Sequence, residues 1–188
     1  WLQVYNSGTV ESITANDSLI VADHLGAVLI SNGNDNIWNE VYPCPLCYDI
    51  YPTLAICGTS IFAATLEGLF LTTDYGLHWD SIYIGLPQYS YVNSMVVSGT
   101  SIYASADKAV YLSTDNGISW TALNNGLPNT SVGPIAVYGL NIFAGTWDSG
   151  VYFSSNNGSN WVPANNGLPV PTYIVSLAIS GTNIFAGT

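Results

Sequence analysis

A repeat of about 41 residues runs through this chain, and no other feature restricts its fold as severely. Trp38, Trp79, Trp120 and Trp161 lie 41 residues apart, and Trp1 precedes Trp38 by 37. A second ladder runs through Ser60-Ile61-Phe62, Ser101-Ile102-Tyr103, Asn141-Ile142-Phe143 and Asn183-Ile184-Phe185, spaced 41, 40 and 42. A third is Gly85-Leu86-Pro87, Gly126-Leu127-Pro128 and Gly167-Leu168-Pro169. Three ladders with one period mean four to five copies of a single structural unit.

Within a unit the elements are short. In the third, residues 92–98, 101–106, 109–113 and 120–123 are rich in Val, Ile, Tyr, Ser and Thr and bounded by Gly, Asn and Asp, which predicts strands. No window carries the i, i+3, i+4, i+7 apolar pattern, so helix content is expected to be close to nil. Ser176-Leu177-Ala178-Ile179 and Asn183-Ile184-Phe185-Ala186 do not alternate strictly, as expected of strands buried on both faces. Four short antiparallel strands in a period of about 40–45 residues are the signature of a β-propeller blade. A β-solenoid coil is shorter, and a sandwich does not repeat its sequence. The prediction is an all-β propeller of about five four-stranded antiparallel blades, the last incomplete.

The blades phase as 10–51, 52–90, 91–130 and 131–171, within a single domain or segment. A split or incomplete blade takes residues 172–188 plus 1–9, with two strands from the C-terminal side and Trp1–Tyr5 as a fourth. Its third strand has no counterpart. Two explanations follow: the chain is a segment of a longer array, or a neighbouring molecule lends the missing strand and links subunits into a filament.

A recurring turn precedes each Trp. It reads Thr72-Thr73-Asp74-Tyr75-Gly76-Leu77-His78-Trp79, Ser113-Thr114-Asp115-Asn116-Gly117-Ile118-Ser119-Trp120 and Ser154-Ser155-Asn156-Asn157-Gly158-Ser159-Asn160-Trp161. The copy at 31–38 is degenerate, with Gly33 and Asp35 in exchanged places. An Asp or Asn side chain accepts backbone N–H groups just ahead of it, Gly supplies positive φ, and Trp clamps the hairpin onto its blade. The pattern Ser/Thr-x-Asp/Asn-x-Gly-x-x-Trp resembles the Asp-box, or BNR repeat, of sialidase-like and sortilin-like propellers, and it is similar to repeat regions of bacterial secreted surface proteins. The resemblance implies that Thr72, Asp74, Gly76, Trp79, Ser113, Asp115, Gly117, Trp120, Ser154, Asn156, Gly158 and Trp161 are structural. It also places the boxes between the third and fourth strands, away from the axis.

Charge then decides which uses of such a fold survive. The 188 residues hold one Lys, no Arg and 12 acids, for a formal charge of −11, with only 7% charged residues overall. A nucleic-acid binder must neutralise phosphates, and Lys108 alone cannot. Anionic membranes repel the chain for the same reason, and no run of about 20 apolar residues exists to cross one. Sialidases of the resembling family clamp a carboxylate with three arginines, and a lysine cannot reproduce that bidentate clamp, so that activity is excluded for this segment. A xyloglucanase-like hydrolase needs two carboxylates facing each other across a cleft. Asp23, Glu67, Asp107 and Asp148 recur near the end of the second strand and form a possible ligand face, with ordinary loop acids as the alternative reading. No catalytic residue, metal site or cofactor is assigned.

Smaller signals remain. His24 and His78 read as surface residues, because neither has a nucleophile at a recognisable spacing. Cys44 and Cys47 form a possible local disulfide, and Cys57 reads as a buried strand residue. Tyr48, Tyr51, Tyr89, Tyr91 and Tyr173 fall in loops, where they either stack on sugars or fill space between blades. Asn16, Asn129 and Asn157 head Asn-x-Ser sequons. The expected role is a secreted or cell-surface binding or structural module, not an enzyme, with a protein or glycan ligand and possible self-association.

Overall fold

The computed structural model describes residues 10, 12–24, 27–32, 37–43, 53–87, 91–169 and 171–188. Among them every regular element is a strand, as the repeat predicts. The chain divides into two compact units, Trp1–Tyr83 and Ile84–Thr188.

The first unit holds two four-stranded sheets. One is β1 (Ile13–Ala15), β2 (Ile20–His24), β3 (Ala27–Ser31) and β4 (Asn39–Val41); the other is β5 (Thr53–Cys57), β6 (Ser60–Thr65), β7 (Gly68–Thr72) and β8 (Asp80–Ile82). The second unit repeats the plan with β9 (Val92–Ser98), β10 (Ser101–Ala106), β11 (Ala109–Ser113) and β12 (Thr121–Leu123), followed by β13 (Val132–Tyr138), β14 (Asn141–Thr146), β15 (Val151–Ser154) and β16 (Val162–Pro163). It ends with the two-stranded pair β17 (Ser176–Ser180) and β18 (Asn183–Gly187). Each four-stranded sheet is an antiparallel meander in chain order. Within each unit the first strands of successive blades pack together, β1 on β5, and β9 on β13 on β17.

The second ladder marks the centre of each blade. Ile61, Ile102 and Ile142 are fully buried, as is Phe62, because second strands have a hydrogen-bonded neighbour on each edge and a blade on each face. Burying each such side chain stabilises the fold by about 1.5–3 kcal/mol. In the first unit Val21, Val28, Leu54 and Ile61 form one core, with Val41 and Trp79 against it. In the second, Tyr103, Val110, Val132, Ile142 and Trp161 form another.

The last pair departs from the sequence expectation. Ile184 and Phe185, at the ladder positions buried elsewhere, are 37% and 57% exposed. The residues read as doubly buried, Ser176–Ile179 and Asn183–Ala186, are instead mostly open. Composition alone predicted burial, but β18 pairs with β17 on one edge and has no described strand on the other. The expected strand at Trp1–Tyr5, the degenerate turn after Ser31, Cys44, Cys47, Tyr48, Tyr51 and Tyr89 lie outside the described residues. Cys57 ends β5 with a free thiol and is half-buried rather than enclosed, because it sits beside the exposed Gly58-Thr59 turn.

Candidate functional site

The three turns before Trp79, Trp120 and Trp161 link the third strand of each blade to the fourth, between β7 and β8, β11 and β12, and β15 and β16. Their hydrogen bonds superpose. The Thr72, Ser113 and Ser154 hydroxyls each donate to the Asp74, Asp115 or Asn156 side chain at 2.8 Å. Those hydroxyls in turn accept the Gly76, Gly117 and Gly158 amides at 2.8–2.9 Å. The same Asp or Asn Oδ1 then accepts the amide four residues ahead, from His78, Ser119 or Asn160.

The bonds have an electrostatic consequence. The His78 backbone amide, and then its ring, hold the Asp74 carboxyl down at about 2, and the Ser119 hydroxyl and amide do the same for Asp115. His78 itself is exposed, with Nδ1 2.6 Å from Asp74 Oδ2. These carboxylates are consumed in closing turns, which leaves them no part in catalysis or metal binding.

The Trp contacts differ from the expected clamp onto the same blade. Trp120 Nε1 does donate to Gly117 O in its own turn, but Trp161 Nε1 donates at 2.9 Å to Leu123 O on the preceding blade. The Trp120 and Trp161 amides donate to Ile84 O and Asn125 O in the preceding connections. The Gly-Leu-Pro ladder supplies the matching surface: a Cβ on Gly85 or Gly126 would collide with the Trp120 or Trp161 carbonyl. A Cβ on Gly158 would lie 2.5 Å from Leu123 Cδ1, and one on Gly76 2.6 Å from Val41 Cγ2. Both motifs therefore lock one blade to the next.

The four acids do not form one kind of surface. Asp23 is buried in β2, where its carboxylate accepts the Ser12 amide while its own amide donates to Ser12 O. It is therefore removed from the ligand face, because β2 runs on to His24 instead of ending before Asp23. His24 is correspondingly a buried strand residue paired with Ala27, not a surface loop residue. Glu67 is exposed in the turn between β6 and β7, Asp107 in that between β10 and β11, and Asp148 in the connection from β14 to β15. Asp148 accepts the Ser149 hydroxyl at 2.6 Å.

Only Asp107 of the four lines the candidate site, a pocket of about 270 Å³ in the second unit shared with Tyr91, Asn93, Ser131 and Trp147. Tyr91 leads into β9, Ser131 leads into β13, and Asp107 and Trp147 occupy connections from second to third strands. These connections converge because the first strands pack together and pull their leading loops to one end. The loop 146–150 that carries Trp147 is tightly braced. Thr146 Oγ1 donates to Gly150 O and accepts the Ser149 amide. Asn165 donates to Ser149 O and accepts the Val151 amide. The Trp147 amide donates to Ser131 O at 3.2 Å. Tyr173 meets the indole edge to face, with centroids 5.7 Å apart and planes at 80°. Trp147 is nevertheless 51% exposed.

Sequence reasoning passed over Trp147, although a signal existed. Of six tryptophans it alone falls off the 41-residue ladder. Asn141 also stands 20 residues before its Trp, whereas Ser60 and Ser101 stand 19 before theirs. The connection from β14 to β15 is four residues long, against two between β10 and β11. The extra length carries the indole outward. Tyr91 and Tyr173, weighed as loop aromatics, are both half-exposed here.

Several solved structures share this architecture. The extracellular domain of BT4673 from B. thetaiotaomicron superposes with a TM-score of 0.73 at 15% identity, over 99% of this chain and 26% of that one. YCF48 from Cyanidioschyzon merolae gives 0.66 at 13%, over 94% and 63%. The GH74 enzyme of Niastella koreensis gives 0.61 at 17%, over 84% and 23%. At these identities the likeness is one of fold, and the chain spans only about a quarter of the BT4673 and GH74 structures. No curated protein matches it in sequence. The model of the DUF6242 beta propeller domain matches residues 54–184, well over half the chain, and this protein belongs to that family.

Proposed function

We propose that the chain is a non-enzymatic extracellular binding module of a larger surface protein, an Asp-box propeller whose ligand-contacting end carries Trp147. The observation behind this reading is a half-exposed indole held by a fully braced loop, beside two further exposed tyrosines. An exposed aromatic fixed in advance loses little entropy on binding, which is how recognition surfaces gain affinity. The likeness to an extracellular domain supports the location. Against a hydrolase stands the distribution of acids. Asp74 and Asp115 are spent on turns, Asp23 is buried, and Asp107 alone of the candidates faces the pocket. Glycoside hydrolysis calls for two carboxyls across one cleft.

An array of glycans and peptides probed with the wild type and Trp147→Ala tests the reading. Signals present in the wild type and absent in the variant support it. Release of reducing ends from any polysaccharide, lost in Asp107→Asn or Asp148→Asn, would overturn the non-enzymatic part.

A second reading, self-assembly by strand complementation, is favoured by the open edge of β18 with Ile184 and Phe185 uncovered. It predicts light scattering that grows with concentration and reverts to monomer in Ile184→Thr/Phe185→Thr. A wild type that stays monomeric at millimolar concentration rejects it.

A further inference from the structure

The pocket at Trp147 is built from two kinds of surface, and the combination narrows its ligand. On one side stand flat apolar plates, Trp147 and Tyr91, both more than half exposed. On the other stand short polar groups, Asn93, Ser131 and Asp107. Their backbones are tied together: Asn93 Nδ2 donates to Val132 O at 2.8 Å, and the Val132 amide donates to Asp107 O at 2.8 Å. The walls are therefore set before any ligand arrives. A volume of about 270 Å³ lies at the small end of ligand sites and admits roughly one ring, with the rest of a chain left outside.

Charge separates the ligand classes. An anionic polymer meets a chain of net −11 whose single cation, Lys108, already donates to Asn129 Oδ1 at 3.0 Å. A cationic ligand gains from an aromatic face, but Asp107 shares a two-residue turn with Lys108, so the rim is locally balanced. Trp147 and Tyr173 also meet at a right angle, forming a step rather than a box around a point charge. An uncharged pyranose suits what remains. Its C–H face is apolar and matches an indole plate, while its rim of hydroxyls both donates and accepts, as the amide, hydroxyl and carboxylate opposite require.

Resting on the binding-module reading above, we propose that Trp147, Tyr91, Asn93, Ser131 and Asp107 bind an uncharged glycan, with one pyranose ring stacked on Trp147. Binding is then carried by stacking and neutral hydrogen bonds, with little contribution from ionic attraction.

Affinity gel electrophoresis tests this on the intact 188-residue chain. The neutral probes are soluble β-glucan, mannan, xylan and dextran; polygalacturonate and a lysine-rich peptide (in a separate titration) are the charged ones. The expected result is retardation by at least one neutral glycan, unchanged between about 0.05 and 0.5 M NaCl. Trp147→Ala weakens it by about tenfold or more, as for a central aromatic anchor, while Trp147→Tyr retains most of it. Circular dichroism confirms that both variants fold. Three results overturn the proposal: no retardation by any neutral glycan, retardation indifferent to Trp147→Ala, or salt-sensitive binding of a charged probe alone. Trp147-dependent binding of the lysine-rich peptide would discard the glycan while keeping this end as a recognition surface.

Discussion

Tyr75, Asn116 and Asn157 occupy the same turn position with φ of 60°, 58° and 60°. Asn tolerates this left-handed conformation; Tyr does not, and the penalty for ordinary L-residues is about 1–2 kcal/mol. Tyr75 is exposed, so removing its ring sacrifices little packing. Tyr75→Asn is expected to raise stability by about 0.5–1 kcal/mol, read as an upward shift in the thermal midpoint. The neighbouring carboxylates make a pH prediction. Asp74 and Asp115 titrate at about 2 in the fold against an ordinary 3.8. A depressed folded value means that their contribution is complete above about pH 4 and fades as pH falls toward 2. The third turn does the same work with uncharged Asn156. Asp74→Asn/Asp115→Asn should therefore flatten the urea midpoint between pH 4 and 2; an unchanged slope would show that these groups do not set acid sensitivity.

At the scale of elements, what matters is how one blade is held to the next. Gly126 and Gly167 share the Gly-Leu-Pro motif and nearly the same φ, +93° and +86°. They differ in their surroundings: Gly126 abuts the Trp161 carbonyl, whereas Gly167 has open space around it. Gly167→Ala should cost only the left-handed strain, about 1–2 kcal/mol. Gly126→Ala should cost that plus an overpacking penalty of about 1–3 kcal/mol, measured by chemical denaturation. Equal losses would mean that the contact between blades carries no energy. The motif was legible in the sequence as punctuation, but its partner was not, because the Trp carbonyl it meets belongs to the following repeat. The direction of the Trp161 indole was hidden for the same reason. A local hairpin rule points it at its own blade, and Leu123 O on the preceding blade takes the bond.

For the whole molecule, the period of 41 and the Val/Ile/Tyr runs between Gly and Asn turns were enough to establish blades. Strand pairing is local in an antiparallel meander, so the chemistry of each turn dictates it. The same locality made the eight-residue turns legible down to which side chain accepts which amide. Burial and convergence were decided only by the tertiary structure. Asp23 and Glu67 look alike in sequence, yet one is enclosed by Ser12 and the other faces solvent. Ile184 has the same local sequence as Ile142, yet it stands open because burial depends on neighbouring strands. Tyr91, Asp107, Ser131 and Trp147 come from different blades, and the packing of first strands draws them into one pocket. Period and turn chemistry act over a few residues and can be read from the chain. A binding surface assembled across repeats depends on distances that no single repeat contains.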